Sequence, residues 1–225
     1  MAFVWKAIVA AALTLCAVVI DGRAAVVQTA IKAQDCYCKK IDIVFIIGSS
    51  ESITRGNYEA VKQFAATFAV HFNVSASTVR FGMINFNDKI RVKWSFDRYT
   101  DSASLTAAIR SMEYTVGTTN AELAFMTALE MMRGARQPNA IIYFSDGRHD
   151  VGGDPVPVAD QIRTEYTTRV LAVGVPGFNG PLNPADIAEL QGLAGNPQYV
   201  FVVNKIEDLS KFLTPLATSL PCTCA

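Results

Sequence analysis

The sequence predicts an α/β fold: a doubly wound sheet, mostly parallel, with one antiparallel edge strand and helices on both faces. Three observations point there. Residues 41–47, Ile-Asp-Ile-Val-Phe-Ile-Ile, are a nearly unbroken run of β-branched and aromatic side chains that stops at Gly48-Ser49-Ser50-Glu51-Ser52. A strand covered on both faces and ending in a loop has that pattern. Short runs of this kind then alternate with stretches of helical period, the order of βαβ units. Finally, the runs 79–86 and 89–94 are separated only by Asn87-Asp88. That link is too short for a crossover, so the two form a hairpin and one edge strand runs antiparallel. The architecture is Rossmann-like, and in such sheets ligands sit outside the carboxyl ends of the strands.

Residues 1–24 read as a secretory signal peptide. Lys6 precedes an apolar run over 7–20, and Gly22 and Ala24 supply small residues for cleavage near Ala24. The run is shorter than the roughly 20 residues that a spanning helix needs. No later stretch is long and apolar enough to span, so the mature chain is expected to be secreted and extracellular. Residues 25–39 form a short segment carrying Cys36 and Cys38, residues 40–220 the domain, and 221–225 a Cys-x-Cys tail.

Within the domain, 53–72 sets Tyr58, Val61, Phe64, Ala65 and Phe68 at three- and four-residue spacing, an amphipathic helix. After the hairpin, an Asp-Ser pair opens a helix over 101–112. A loop over 113–117 leads to a longer helix over 119–133. The strand 139–145 ends at Asp146-Gly147. A Pro-rich entry at 154–157 and a short helix to 166 lead to the strand 168–175. A Gly/Pro/Asn loop, a helix over 184–193, a strand over 199–203 and a last helix over 206–216 complete the domain.

Composition excludes some classes. Twenty basic and twenty acidic residues cancel, which argues against nucleic acid or an anionic membrane as partner. A hydrophobic share of 51% in 225 residues suffices for one sizeable core. Outside the leader, with Cys16, four cysteines remain: Cys36, Cys38, Cys222 and Cys224. Four allow three connectivities. A bond within either Cys-x-Cys pair is strained, which favours two bridges joining the N-terminal pair to the C-terminal pair. A zinc site is the alternative, against which stand the spacing and the compartment. Asn73-Val74-Ser75 is a glycosylation acceptor pattern at the end of the first helix.

At the carboxyl ends of the strands converge Ser50, Ser52, Thr118 and Asp146. Hydroxyls and carboxylates are hard oxygen ligands suited to Mg²⁺ or Ca²⁺. Two plainer roles compete: the serines could cap the first helix, and Asp146 could satisfy backbone donors in its turn. The motif Asp-Ile-Val-Phe-Ile-Ile-x-x-Ser-x-Ser-Ile at 42–53, Gly117-Thr118 opening a helix, and Tyr143-Phe144-Ser145-Asp146-Gly147 together resemble a von Willebrand factor type A domain over about residues 40–220. The resemblance implies a metal-ion-dependent adhesion site that binds an acidic group on a protein ligand. Ser50 and Ser52 match its two serines, Thr118 its threonine and Asp146 its second aspartate. Gly48 stands in place of its first aspartate. One of two negative charges is missing, so metal binding is expected to be weak or absent. Glu51, between the two serines, points away, and Asp42 lies at the far end of the strand.

The resulting expectation is a secreted, non-enzymatic adhesion module of an extracellular or biomineral matrix, binding matrix proteins, collagen-like or other, through the strand-end loops. A lectin-like recognition or defence protein is the alternative. Its feature is the aromatic set Trp94, Phe96 and Tyr99, which either faces outward or packs a hairpin corner. A hydrolase built on Ser50, Asp146 and His149 lacks the Gly-x-Ser-x-Gly elbow, and His149 and His71 read as loop and helix-end residues. No phosphate-binding glycine pattern follows the first strand.

Overall fold

A computed structural model of the chain describes residues 40–147 and 149–222, together with the backbone of 17–20 and 23–26. Two compact units are present, Met1–Lys32 and Ala33–Ala225. In the first, β1 (Ala17–Ile20) and β2 (Arg23–Val26) pair antiparallel, with Ala17 opposite Val26.

The second unit carries a six-stranded sheet. Its strands are β3 (Ile41–Gly48), β4 (Val79–Phe86), β5 (Ile90–Trp94), β6 (Asn139–Ser145), β7 (Arg169–Gly174) and β8 (Val200–Val202), in the order β5-β4-β3-β6-β7-β8. Every pairing is parallel except β4 with the edge strand β5. The hairpin at Asn87-Asp88 thus sets the one antiparallel edge, as the short link requires.

Alternation along β3 divides the core in two. Ile41, Ile43, Phe45 and Ile47 enter one apolar layer, under α1 (Arg55–Ala69), α2 (Ser102–Ser111) and α6 (Leu213–Thr218). Val44 and Ile46 enter the other, under α3 (Ala121–Met132), α4 (Val156–Glu165) and α5 (Pro184–Ala194). A period of two turns successive side chains to opposite faces, so one strand seeds both layers. Phe45 sits at the centre of the first, its ring 5.4 Å from Phe81, 6.0 Å from Phe68 and 6.3 Å from Phe144.

Asp42 occupies the second face near the amino end of β3 and is wholly buried. It accepts hydrogen bonds from Arg80 Nε at 2.9 Å and from Arg136 Nη2 and backbone N–H at 2.8 and 2.6 Å. This pairing satisfies the charge at the end of the sheet remote from the strand-end loops.

Two helices differ from expectation. The helix expected over 53–72 begins at Arg55, because Thr54 has φ +62° and separates it from a 3₁₀ turn at Glu51–Ile53. The stretch expected as a single helix over 206–216 is 3₁₀ from Ile206 to Phe212 and α-helical only from Leu213. Among the described residues, no helix is long and apolar enough to cross a membrane. Cys222 is disulfide-bonded; Cys36, Cys38 and Cys224 lie outside the described residues, as does most of the expected leader. Asn73 is exposed in the turn after α1.

Candidate functional site

The loop after β3 is fixed from below by Ser49. This wholly buried residue donates its hydroxyl to the Phe86 carbonyl at 3.0 Å and lies 3.0 Å from the Thr115 hydroxyl. Its backbone N–H also bonds Phe86 O, at 2.7 Å. Ser50 and Ser52 then face each other with their hydroxyl oxygens 3.1 Å apart. The Tyr114 hydroxyl donates to the carbonyls of Ser50 and Glu51 at 3.1 and 3.3 Å, and Glu51 N–H donates to Gly117 O at 2.9 Å. Glu51 itself is exposed, its side chain outside the pair of serines.

Asp146 follows β6 and receives the Ser52 hydroxyl. Burial pushes its carboxyl up, the Ser52 hydrogen bond opposes this, and the charges of Asp150 and Asp186 add to the upward push. Gly177 closes over it: a Cβ there would stand 2.4 Å from Asp146 Oδ2, so only glycine permits the approach. Phe178 N–H donates to Ser52 O at 2.6 Å, which ties the loop after β7 to the loop after β3.

The structure thus brings Ser50, Ser52 and Asp146 into one hydrogen-bonded group. Thr118 is exposed on the neighbouring loop and makes no hydrogen bond to the other three among the described residues. Its loop is held by Thr119, whose N–H donates to Asp150 Oδ2 at 3.0 Å and whose carbonyl accepts from the N–H groups of Asp150 and Val151. The serines do not cap α1: the Thr54 side chain does, accepting from Asn57 N–H at 3.3 Å. His149 is not simply a solvated loop residue either. Its Nδ1 lies 2.8 Å from Glu189 Oε2, a partner on α5.

Sequence reasoning missed the supporting residues Ser49, Tyr114, Thr115 and Gly177. Only Gly177, in a Pro-Gly pair, left a local signal, and it marked a turn without naming Asp146 as its neighbour.

Three hydroxyls and one carboxylate match a hard ion in kind, yet the position nearest the missing charge is Gly48, at the end of β3. A Cβ there meets Phe144 O at 3.4 Å and the Phe86 ring at 3.8 Å, ordinary contacts. The backbone therefore accommodates a side chain that the sequence omits. Among the described residues no group of three His, Cys, Asp or Glu side chains is placed to hold a metal. With Gly48 at that place, the set offers one carboxylate, Asp146, to offset a divalent charge.

Comparison with known proteins decides the family. The model of the von Willebrand factor type A domain matches residues 42–215. The chain belongs to that family. Among relatives of this type A domain, the transmembrane cell adhesion receptor mua-3 of Caenorhabditis elegans is 30% identical over 89% of this chain and 5% of its own length. Human matrilin-3 is 27% identical over 83% of this chain and 40% of its own length. The chain spans 5%, 24% and 31% of the first three curated relatives it matches. Proximal thread matrix protein 1 from the mussel byssus shares the fold, with a TM-score of 0.71 at 22% identity over 85% of this chain and 48% of that one. A further structure of that mussel protein has a zinc-occupied adhesion-site motif.

Proposed function

We propose that this type A domain is a secreted, non-enzymatic binding module of an extracellular or biomineral matrix, and that it holds matrix proteins through the loops at the carboxyl ends of β3, β6 and β7. The observation that carries the reading is the state of those loops. They are cross-tied around Ser50, Ser52 and Asp146, they lack the aspartate at Gly48, and they present Phe178 at 79% exposure, with Val116 of the adjoining α2–α3 loop at 57%. A surface that has lost a metal-supporting charge and offers apolar side chains from two loops recognises a partner by direct contact. Matrilin-3 is a matrix protein and mua-3 an adhesion receptor, and these relatives support a matrix setting.

The same reading includes a leader cleaved near Ala24, bridges joining Cys36 and Cys38 to Cys222 and Cys224, and a glycan on Asn73. The exposure of Asn73 and the bonded state of Cys222 support the last two. Isothermal titration with Mg²⁺, Mn²⁺ and Ca²⁺ tests the metal-free mode. The wild-type chain is expected to give no saturable heat. Tight binding that Asp146→Ala removes would overturn it.

A further inference from the structure

Asn179 is the only asparagine of the chain that precedes a glycine. It lies in the loop after β7, where Gly177 and Gly180 exchange backbone hydrogen bonds of 3.0 and 3.1 Å and close a tight turn over Phe178 and Asn179. Asn179 is exposed, and among the described residues its side-chain amide makes no hydrogen bond. Gly180 has φ +94°, and nothing lies within 4 Å of where a Cβ would stand.

That combination opens a side-chain amide to the backbone nitrogen that follows it. Glycine carries no side chain to shield its nitrogen, and its backbone turns more freely than that of other residues. The remaining asparagines lack these conditions. Asn57 and Asn85 donate from Nδ2 to the carbonyls of Pro176 and Ile47, and Asn120 accepts from Leu123 N–H. Asn183 and Asn196 precede prolines, which have no N–H to give up. Asn204 is exposed, but Lys205 follows it. The bond from Gly180 N–H to Gly177 O restrains the nucleophile; it belongs to an exposed turn, where local opening costs least.

We propose that Asn179 is a site of spontaneous deamidation. The Gly180 nitrogen gives its proton to solvent and attacks Asn179 Cγ; the new C–N bond closes a succinimide ring as the Cγ–Nδ2 bond breaks and ammonia leaves. Water then opens the ring. Addition at Cγ restores the chain as aspartate, and addition at the Asn179 backbone carbonyl leaves isoaspartate, with the chain routed through the former side chain. The sum is amide plus water to carboxylate plus ammonium, with no oxidant or reductant. Both products add a negative charge beside Phe178, and isoaspartate also lengthens the turn by a methylene. Phe178 N–H is bonded to Ser52 O, so a change in this turn reaches the strand-end loops. Resting on the matrix-binding reading above, conversion weakens binding as the protein ages.

The test incubates the full chain in mildly acidic and mildly alkaline buffer and follows it by ion exchange, released ammonia and peptide mapping with isoaspartyl methyltransferase. An acidic species is expected that grows with first-order kinetics, faster in alkali because the attacking nitrogen must lose a proton. It should map to Asn179 as aspartate and isoaspartate while Asn204 persists. Asn179→Gln, whose longer side chain closes the ring poorly, should yield no such species. An Asn179 amide that persists in the native chain and converts only in urea, or an acidic species that maps elsewhere, would overturn the site. The separated isoaspartyl form is then compared with fresh chain for binding to immobilised collagens and matrilins. Weaker binding of the converted form is expected, and equal binding would overturn the effect on the partner face. Should fresh chain bind neither, the matrix-binding reading falls and with it that effect, while the site is decided by the peptide map alone.

Discussion

Replacing Asp42 by alanine should cost a large part of the domain's stability, although the residue is remote from the strand-end loops. Asp42 is fully buried and takes hydrogen bonds from two guanidinium groups and one backbone N–H. Its removal leaves Arg80, only 10% exposed at its side chain, with Asp97 and the Gly134 carbonyl; Asp97 is 70% exposed. The screened Asp97 pair offsets little of the loss. Breaking one side of a buried pair costs about 3–5 kcal/mol, against a total of about 5–15 kcal/mol for a domain. With a urea m-value of about 2 kcal/mol/M, the midpoint should fall by roughly 2 M.

The same residue predicts a pH dependence. Burial alone would push the Asp42 carboxyl up, but hydrogen bonds from Arg80 and Arg136 outweigh it and hold the group below its ordinary value. The unfolded chain therefore binds this proton more readily than the native chain. The stabilisation is complete above the unfolded value of about 3.9 and is lost as pH falls through the lower native value. Urea melts of wild type and Asp42→Asn at neutral and acid pH check both statements. The gap between them should be wide at neutral pH and narrow below the native pKa. A midpoint change in Asp42→Ala worth under 1 kcal/mol, or curves that stay parallel with pH, would refute the reasoning.

Gly48→Asp should give saturable Mg²⁺ binding by calorimetry where the wild type has none, since ordinary contacts surround the added Cβ and the new carboxylate restores the missing charge. Phe45→Ala should cost about 3–5 kcal/mol in chemical denaturation, because it empties the centre of the aromatic layer formed with Phe68, Phe81 and Phe144. Asn183→Ala should cost about 1 kcal/mol; it removes the capping box in which Asn183 accepts from Asp186 N–H and the Asp186 carboxylate accepts from Asn183 N–H, and hydrogen exchange should rise first in the opening turn of α5. Tyr114→Phe should lower stability by about 1 kcal/mol and loosen the Ser50-Glu51 segment, readable as faster amide exchange there.

What the sequence made legible was local or periodic. The nearly unbroken apolar run of β3 announced a strand buried on both faces, and its alternation then divided into the two core layers. The two-residue link at Asn87-Asp88 left no geometry but a hairpin. Asp101 was read as a helix start, and its side chain accepts from Ser104 N–H at 2.8 Å. What stayed hidden was set by distant neighbours. Thr54 takes a positive φ where the 3₁₀ turn gives way to α1, and no propensity of threonine announces that. Asp42 was read only as lying at the far end of its strand, since its partners lie 38 and 94 positions away. Of the strand-end group, Ser50, Ser52 and Asp146 were found because each follows a strand or sits in its loop. Ser49, Tyr114 and Thr115, which hold those residues in place, carried no pattern of their own. The pairing of His149 with Glu189 across 40 positions was equally silent.

On the proposed reading, the strand-end face binds matrix proteins by direct contact. The most direct measurement is equilibrium binding of the purified chain to immobilised collagens and matrilins, with and without EDTA, beside Phe178→Ser and Val116→Ser variants of unchanged melting temperature. Binding that EDTA leaves intact and that each substitution weakens is expected. Binding that EDTA abolishes, or that both variants retain in full, would contradict it.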